Sequence, residues 1–217
     1  MQALVQAALV VGLVVACHQP NPENPDAAGS VDASVVSGLY VPWTTLPTIP
    51  GDSSDNLTVA TMLLRIDNLR VIGDAGPGDP RTSKSSFTVS WNGITAPATV
   101  AFMEAPTGLY SKLTLLADGH LVDDSYEITG TALINDVVYP YRIHDRDPIN
   151  ISLSTSATLE PGGEAHVPVR IAVQDALGVV DFTTLPSNGG TLELDTFDSQ
   201  MPAFRAKLIE SFSIGDQ

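Results

Sequence analysis

The 217-residue chain is poor in cysteine, in basic side chains and in charge altogether. It contains one cysteine and ten lysines and arginines, and charged residues make up 16% of it, against roughly 25% in an average soluble domain. The formal net charge of −15 argues against a nucleic-acid partner, because such a protein needs basic side chains to displace the counterions of the phosphates. The hydrophobic share of 43% argues against a disordered chain, which combines low hydrophobicity with high net charge.

The apolar run over residues 3–16 is shorter than the about 20 residues that a membrane-spanning helix needs. It is broken only by Gln6 and Gly12, and it ends at Cys17. This length matches the apolar region of a secretory signal peptide, in which small residues precede the cleavage site. We therefore predict a signal peptide over residues 1–16.

The end of this run, Val14-Val15-Ala16-Cys17, resembles the lipobox of bacterial lipoprotein precursors. The resemblance implies cleavage between Ala16 and Cys17, lipid attachment to the Cys17 sulfur, and acylation (with palmitate, for example) of the new amino terminus. Several acyl chains would anchor the protein stably to a membrane. The next residue is His18 and not the Asp that marks retention at the inner membrane, which favours the outer membrane. The alternative is an ordinary signal peptide, but a lone cysteine in an exported protein needs an explanation, and lipidation supplies one.

Residues 17–38 are predicted to form a flexible linker after the lipidated cysteine. Pro20, Pro22 and Pro25 alternate with Asn, Glu and Asp, and such a segment has too little apolar area to fold. The remainder, residues 39–217, is long enough for a single domain that buries about 70% of its unfolded surface. We expect the linker to hold this domain away from the membrane.

After residue 56, apolar residues recur at every second position, which is the period of a half-buried β-strand. The clearest case is Ile151–Leu159, where the intervening positions are serine or threonine. The segment Leu57–Ile72 changes phase between Ile66 and Leu69, which predicts a β-bulge or two short strands. Gly130 predicts a bulge or a close approach of two backbones.

Turns and the C-terminal segment complete the predicted fold. Asn135-Asp136 predicts a two-residue turn, and Pro140 predicts that the following strand lies at a sheet edge. About eight to nine strands are expected, in an all-β, antiparallel β-sandwich of the immunoglobulin or transthyretin-like type. A C-terminal helix is indicated by apolar residues on one helical face: Met201, Phe204, Leu208 and Phe212. Asp198 or Ser199 is its expected cap.

Residues 106–110, Pro-Thr-Gly-Leu-Tyr, resemble the Pro-x-Gly-x-Tyr start of a strand in transthyretin-like and related bacterial β-sandwich domains. These include domains of unknown function that many lipoproteins carry. The resemblance implies a tight turn at Gly108 and places Tyr110 across one end of the sandwich. It supports the fold, and it implies no activity.

No catalytic or metal-binding constellation is assigned, and no cofactor is expected. Residues 51–54, Gly-Asp-Ser-Ser, resemble the nucleophile block of the Gly-Asp-Ser lipases and esterases, but no strand precedes them and no Asp-x-x-His follows. The four histidines are isolated from one another: His18, His120, His144 and His166. Aspartates, whose oxygens suit calcium, surround two turns: Asp118, Asp123 and Asp124, and then Asp145 and Asp147. We expect them to solvate loops, with Arg146 forming surface ion pairs to its neighbours.

The sequence therefore predicts a lipoprotein anchored in the outer membrane through Cys17. We expect a non-catalytic structural or binding module of the cell envelope, with the membrane and an envelope protein or glycan as partners. The alternative is an extracytoplasmic hydrolase or carbohydrate-active protein whose site assembles only in three dimensions.

Overall fold

The computed structural model describes residues 37–45, 56–74, 77–92, 99–120 and 122–215. The predicted signal peptide, Cys17, the linker as far as residue 36 and the Gly-Asp-Ser segment lie outside the described residues. Within those ranges, no helix has the length and apolar character needed to cross a membrane.

The described residues form fourteen strands and two short α-helices, so the predicted all-β sandwich with a C-terminal helix is confirmed. The strands are β1 Gly38–Val41, β2 Trp43–Thr45, β3 Leu57–Gly73, β4 Ser83–Trp91, β5 Val100–Met103, β6 Gly108–Ala117, β7 Tyr126–Ile134, β8 Val137–Asp145, β9 Ile149–Leu159, β10 Glu164–His166, β11 Val169–Ile171, β12 Ser187–Asn188, β13 Thr191–Leu194 and β14 Phe212–Ile214. The helices are α1 Val173–Leu177 and α2 Met201–Glu210. The strands outnumber the predicted eight to nine because several have only two to four residues, too few to show an alternating pattern.

The larger sheet has eight strands in the order β12-β13-β8-β7-β3-β6-β9, with β4 paired to β3. The long strand β3 pairs with three other strands of this sheet. The first half of β3 pairs with β7 and the second half with β6, while β4 lies along the opposite edge. The register shifts between Ile66 and Asn68, which confirms the predicted bulge and leaves both Ile66 and Leu69 buried.

The second layer consists of two three-stranded sheets, β10-β1-β5 and β14-β11-β2. Strands β1 and β2 are separated only by Pro42, and strands β10 and β11 are separated only by Val167 and Pro168. Strand β1 runs parallel to β10, and β2 runs parallel to β11. Backbone hydrogen bonds bridge the gap, since Val167 N–H donates to Tyr40 O at 2.8 Å and Val169 N–H donates to Pro42 O at 2.9 Å. The two small sheets therefore make one layer, interrupted where the prolines lack an N–H group.

Three strand pairs in the described residues are parallel: β1 with β10, β2 with β11, and β8 with β13. The sandwich is therefore mixed, although the sequence pattern predicts antiparallel pairing. Alternation of side chains shows which face of a strand is buried, but it does not show the direction of the neighbouring strand.

The core lies between the two layers. Leu39, Val41 and Trp43 of the second layer are at most 3% exposed. Trp43 meets Phe87 of the larger sheet edge to face, with the ring centroids 6.5 Å apart. Both layers thus bury one apolar face, as expected for a sandwich.

The predicted turn and close approach occur in the hairpin of β7 and β8. Asn135 and Asp136 both have positive φ, 50° and 63°, as a tight hairpin turn requires. Gly130 lies under the ring of Tyr141, whose hydroxyl donates to Thr58 O at 2.9 Å, and a Cβ at Gly130 would collide with that same carbonyl. The register of β3 and β7 also shifts here.

The prediction that Pro140 places β8 at a sheet edge is wrong for the second half of the strand. Strand β13 pairs with β8 at Tyr141–Ile143, directly after the proline. Pro140 itself lies just beyond this pairing, at a position where no N–H group is required.

Helix α2 covers part of the core with the predicted apolar face. Met201, Phe204 and Leu208 are fully buried, whereas Phe212 belongs to β14. The N-cap residue is Gln200, not Asp198 or Ser199 as predicted. Asp198 still supports the helix start, because its carboxylate accepts the Gln200 N–H at 2.8 Å.

Strand β6 begins within residues 106–110, the segment that resembles the transthyretin-like strand start. Gly108 has φ 137°, and Tyr110 is buried with its hydroxyl donating to Pro106 O at 2.6 Å. Burial raises the pKa of Tyr110, so this hydroxyl keeps its proton and remains a donor.

Candidate functional site

The predicted lipidation and cleavage residues, Cys17 and Ala16, lie outside the described residues, so their roles stay predictions. His18 lies there as well. The described histidines are on separate elements: His166 of β10 stacks on Tyr40, with centroids 5.2 Å apart, while His120 and His144 lie in the loop after β6 and in β8. Among the described residues, no group of three or more His, Cys, Asp or Glu is placed to hold a metal ion.

The densest group of ionisable residues lies where two strand breaks meet in the larger sheet. Strand β6 ends at Ala117 and β7 begins at Tyr126, while β8 ends at Asp145 and β9 begins at Ile149. Ala117 pairs with Ile149, and Tyr126 pairs with Asp145, so the two breaks lie side by side. We call this place the junction.

Backbone groups at the junction need partners because the regular ladder stops there. Buried Ser125 supplies two: its hydroxyl donates to Arg146 O at 3.0 Å and accepts the Gly119 N–H at 3.1 Å. The Arg146 N–H donates to the Thr196 hydroxyl at 2.9 Å. Side chains thus replace the missing pairs between strands.

Asp145 is fully buried at the junction, which corrects the prediction that it solvates a loop. Its carboxylate accepts hydrogen bonds from Arg205 Nε at 2.6 Å and Nη2 at 3.0 Å, from the Tyr126 hydroxyl at 2.9 Å, and from the Asp147 N–H at 3.1 Å. Asp145 therefore pairs with a guanidinium from α2 and not with the adjacent Arg146.

The electrostatics of this network keep Asp145 ionised. Burial opposes ionisation, but the hydrogen bonds from Arg205, the Asp147 N–H and Tyr126 together hold the pKa of Asp145 below its usual value. Burial, together with the negative charge of Asp145, raises the pKa of Tyr126. The pKa of Arg205 is raised mainly by its hydrogen bonds to Asp145. The group is a fixed ion pair with a neutral tyrosine donor.

A second carboxylate, Asp124, lies on the solvent side of the junction, next to two guanidinium groups and an imidazole ring. Its oxygens lie 3.1 Å from Arg142 Nη2, 3.3 Å from His144 Nδ1 and 3.6 Å from Arg146 Nε. Arg65 donates to its backbone carbonyl. The predicted pairing of Arg146 with its flanking aspartates is thus wrong, because Arg146 turns to Asp124 across the break.

A shallow hollow of about 180 Å³ adjoins Arg65 and His120. His120 Nε2 lies 3.1 Å from Asp67 Oδ1, and Nδ1 lies 3.9 Å from Asp118 Oδ2. His120 and Ser86, which both line the hollow, have positive φ of 55° and 53°. Asp118 faces His120, Asp123 faces Arg65 and Asp124 faces Arg142, so the three aspartates do not converge on one point.

The partners of Asp145 are not visible from sequence spacing, because Arg205 is 60 positions away. One signal was available in the helix itself. Arg205 follows Met201 by four residues and precedes Leu208 by three, so it lies beside the apolar face. A charged residue at that position needs a buried partner of opposite charge.

No family model, no curated protein and no solved structure matches the chain.

Proposed function

We propose that the chain is a bacterial lipoprotein, anchored in the outer membrane through Cys17, whose folded domain is a non-catalytic structural or binding module of the cell envelope. The observation that carries the proposal is the lipobox Val14-Val15-Ala16-Cys17 at the end of an apolar run, in a chain with one cysteine. Lipidation explains why an exported protein has a lone thiol.

The position of the first strand supports a tethered arrangement. Strand β1 begins at Gly38, one residue before the predicted start of the domain. The chain between Cys17 and Gly38 has about 20 residues and spans at most about 70 Å when fully extended. That length suits a domain that reaches a partner beyond the membrane surface.

The junction supports a structural or binding role over a catalytic one. Asp145, the most buried carboxylate of the described residues, already accepts bonds from Arg205, Tyr126 and a backbone N–H, and it stays ionised. A general acid or base needs a pKa near the working pH and access to substrate. Asp145 has neither, so we assign it a role in fixing α2 to the larger sheet.

The test is metabolic labelling with a palmitate analogue followed by membrane fractionation. We compare the native chain with Cys17→Ala, and with Ser34→Ala as a matched change within the linker. The native chain and Ser34→Ala are expected to carry label and to sediment with the outer membrane, while Cys17→Ala loses both. A native chain that is unlabelled and released into the medium would overturn the proposal.

A further inference from the structure

The outward face of the larger sheet has an ordered set of polar side chains where β4, β3, β6 and β9 lie side by side. Arg70 of β3 pairs with Ser83 of β4 on one side and with Thr114 of β6 on the other, and Thr114 pairs with Ser152 of β9. Their neighbours along the strands, such as Leu113, are buried in the core. Because side chains alternate along a strand, the paired residues point outward together.

Two further rows flank this one. One row contains Asn68 with Ser85, Leu116 and Asn150, and the other contains Ile72 with Lys112 and Ser154. We call the three rows the outer face. The rows are about 14 Å long where they cross four strands, and positions on one strand are about 7 Å apart. A groove of about 350 Å³ lies on this face, within the size range of ligand sites.

The outer face is positive in a strongly negative protein. It contains Arg70 and Lys112, both exposed, and none of its positions is Asp or Glu, although acids outnumber bases 25 to 10 in the chain. Within the described ranges, neither side chain forms an ion pair, whereas most other basic residues do: Arg65, Arg81, Arg142, Arg146, Arg205 and Lys207. Arg70 and Lys112 lie diagonally on neighbouring strands, close enough to contact one anionic ligand.

We propose that the outer face binds an anionic glycan, a saccharide that bears phosphate or carboxylate groups. The guanidinium of Arg70 suits two-point binding of either group, and Lys112 adds a second charge. Thr114, Asn150 and Ser152 supply donors and acceptors for sugar hydroxyls. A nucleic acid does not suit this face, because its closely spaced phosphates need more than two cations. The net charge of −15 disfavours a nucleic-acid ligand as well.

This inference deepens the binding role proposed above and rests on it. Its test does not depend on lipidation, because soluble saccharides are added to the purified chain. Failure of the palmitate experiment and failure of glycan binding are therefore separate results.

In the experiment, each probe is titrated into the ¹⁵N-labelled full chain in mild detergent, and binding is monitored through the amide chemical shifts. The probes are tetragalacturonate, which bears carboxylates, glucose 6-phosphate, neutral maltotetraose and inorganic phosphate. At least one charged saccharide is expected to cause saturable shifts in β6 and β9, and maltotetraose none. The two charged probes show whether carboxylate or phosphate is preferred. The variant R70Q/K112Q is expected to weaken this binding at least tenfold.

The matched control is R170Q/K207Q, which removes one arginine and one lysine from β11 and α2, away from the outer face. It is expected to bind as the native chain does, and both variants are expected to keep the native unfolding midpoint. The proposal is overturned by the absence of saturable shifts with both charged saccharides, or by equal losses in the two variants. Inorganic phosphate that binds as tightly as the saccharides would also overturn it, because the face would then recognise a simple anion.

Discussion

Asp145 is the one charged side chain that is completely buried among the described residues. It accepts two hydrogen bonds from Arg205 and one from Tyr126, so three separate elements meet at its carboxylate. A buried ion pair adds little net stability relative to an apolar replacement, but breaking it by removal of one partner is costly. Asp145 therefore holds the charged side of α2 against the larger sheet.

Asp145→Asn is expected to lower the free energy of unfolding at pH 7 by about 3 kcal/mol, because it removes the buried charge that accepts two hydrogen bonds from Arg205 and leaves only the exposed Asp147 as an ionic partner of this half-buried guanidinium. The folded state lowers the pKa of Asp145, so this stabilisation is present above the ordinary carboxyl pKa of about 4 and is lost as the pH falls through the folded value. The difference between the native chain and the variant should shrink on acidification. Urea unfolding at pH 7, 5 and 3 measures it.

Asp147→Asn is the matched control for this measurement. Asp147 also faces Arg205, at 2.8 Å, but its side chain is 54% exposed. Exposed ion pairs contribute about 0–1 kcal/mol, so the control should lose far less stability. Equal losses in the two variants would show that burial does not distinguish these carboxylates.

At the scale of elements, α2 stabilises the fold mainly through its apolar face. Phe204 is fully buried and packs on Tyr126, with the ring centroids 6.2 Å apart. Met201 places its sulfur 3.4 Å from the Tyr126 hydroxyl. The same tyrosine thus contacts both the apolar and the charged side of the helix.

Phe204→Ala is expected to lower the free energy of unfolding by about 3–5 kcal/mol, because it leaves a cavity where a buried ring was lost. Phe197→Ala is the matched control, since Phe197 is 90% exposed and the same atoms are removed. That change should stay within about 0.5 kcal/mol. Equilibrium urea unfolding of both variants checks this, and a small loss at Phe204 would contradict the packing of α2.

At the scale of the whole molecule, the second layer joins segments from distant parts of the chain. Strand β1 lies between β5 and β10, and β2 pairs with β11, about 125 positions later in the sequence. Leu39, Val41 and Trp43 enter the core with these strands. Strands β1 and β2, which follow the predicted linker, are therefore integral parts of the second layer.

Deletion of residues 1–45 is expected to abolish cooperative unfolding, while deletion of residues 1–33 should leave it intact. The longer deletion removes three buried apolar side chains, each worth about 1.5–3 kcal/mol, from a fold whose net stability is typically about 5–15 kcal/mol. Thermal unfolding followed by circular dichroism distinguishes the two. A cooperative transition after the longer deletion would show that β1 and β2 are dispensable.

Much of the larger sheet was predictable because its signals are local. The period of two in Ile151–Leu159 predicted β9, and the change of phase after Ile66 predicted the bulge in β3. The turn at Asn135-Asp136 and the apolar face of α2 were likewise visible in a few consecutive residues. Each of these features is set by the backbone and burial preferences of neighbouring residues.

By itself, the sequence determined the all-β class, the faces of the long strands, the C-terminal helix and the lipobox that predicts an anchor at Cys17. Only the tertiary structure decided that β1 and β2 lie parallel to β10 and β11, that Arg205 reaches Asp145, and that Arg70 and Lys112 share one face without an acid. The physical reason is the separation along the chain of the residues that determine each feature. Periodicity records which side of a strand is buried, whereas strand order and ion pairs depend on residues that meet only after the chain has folded.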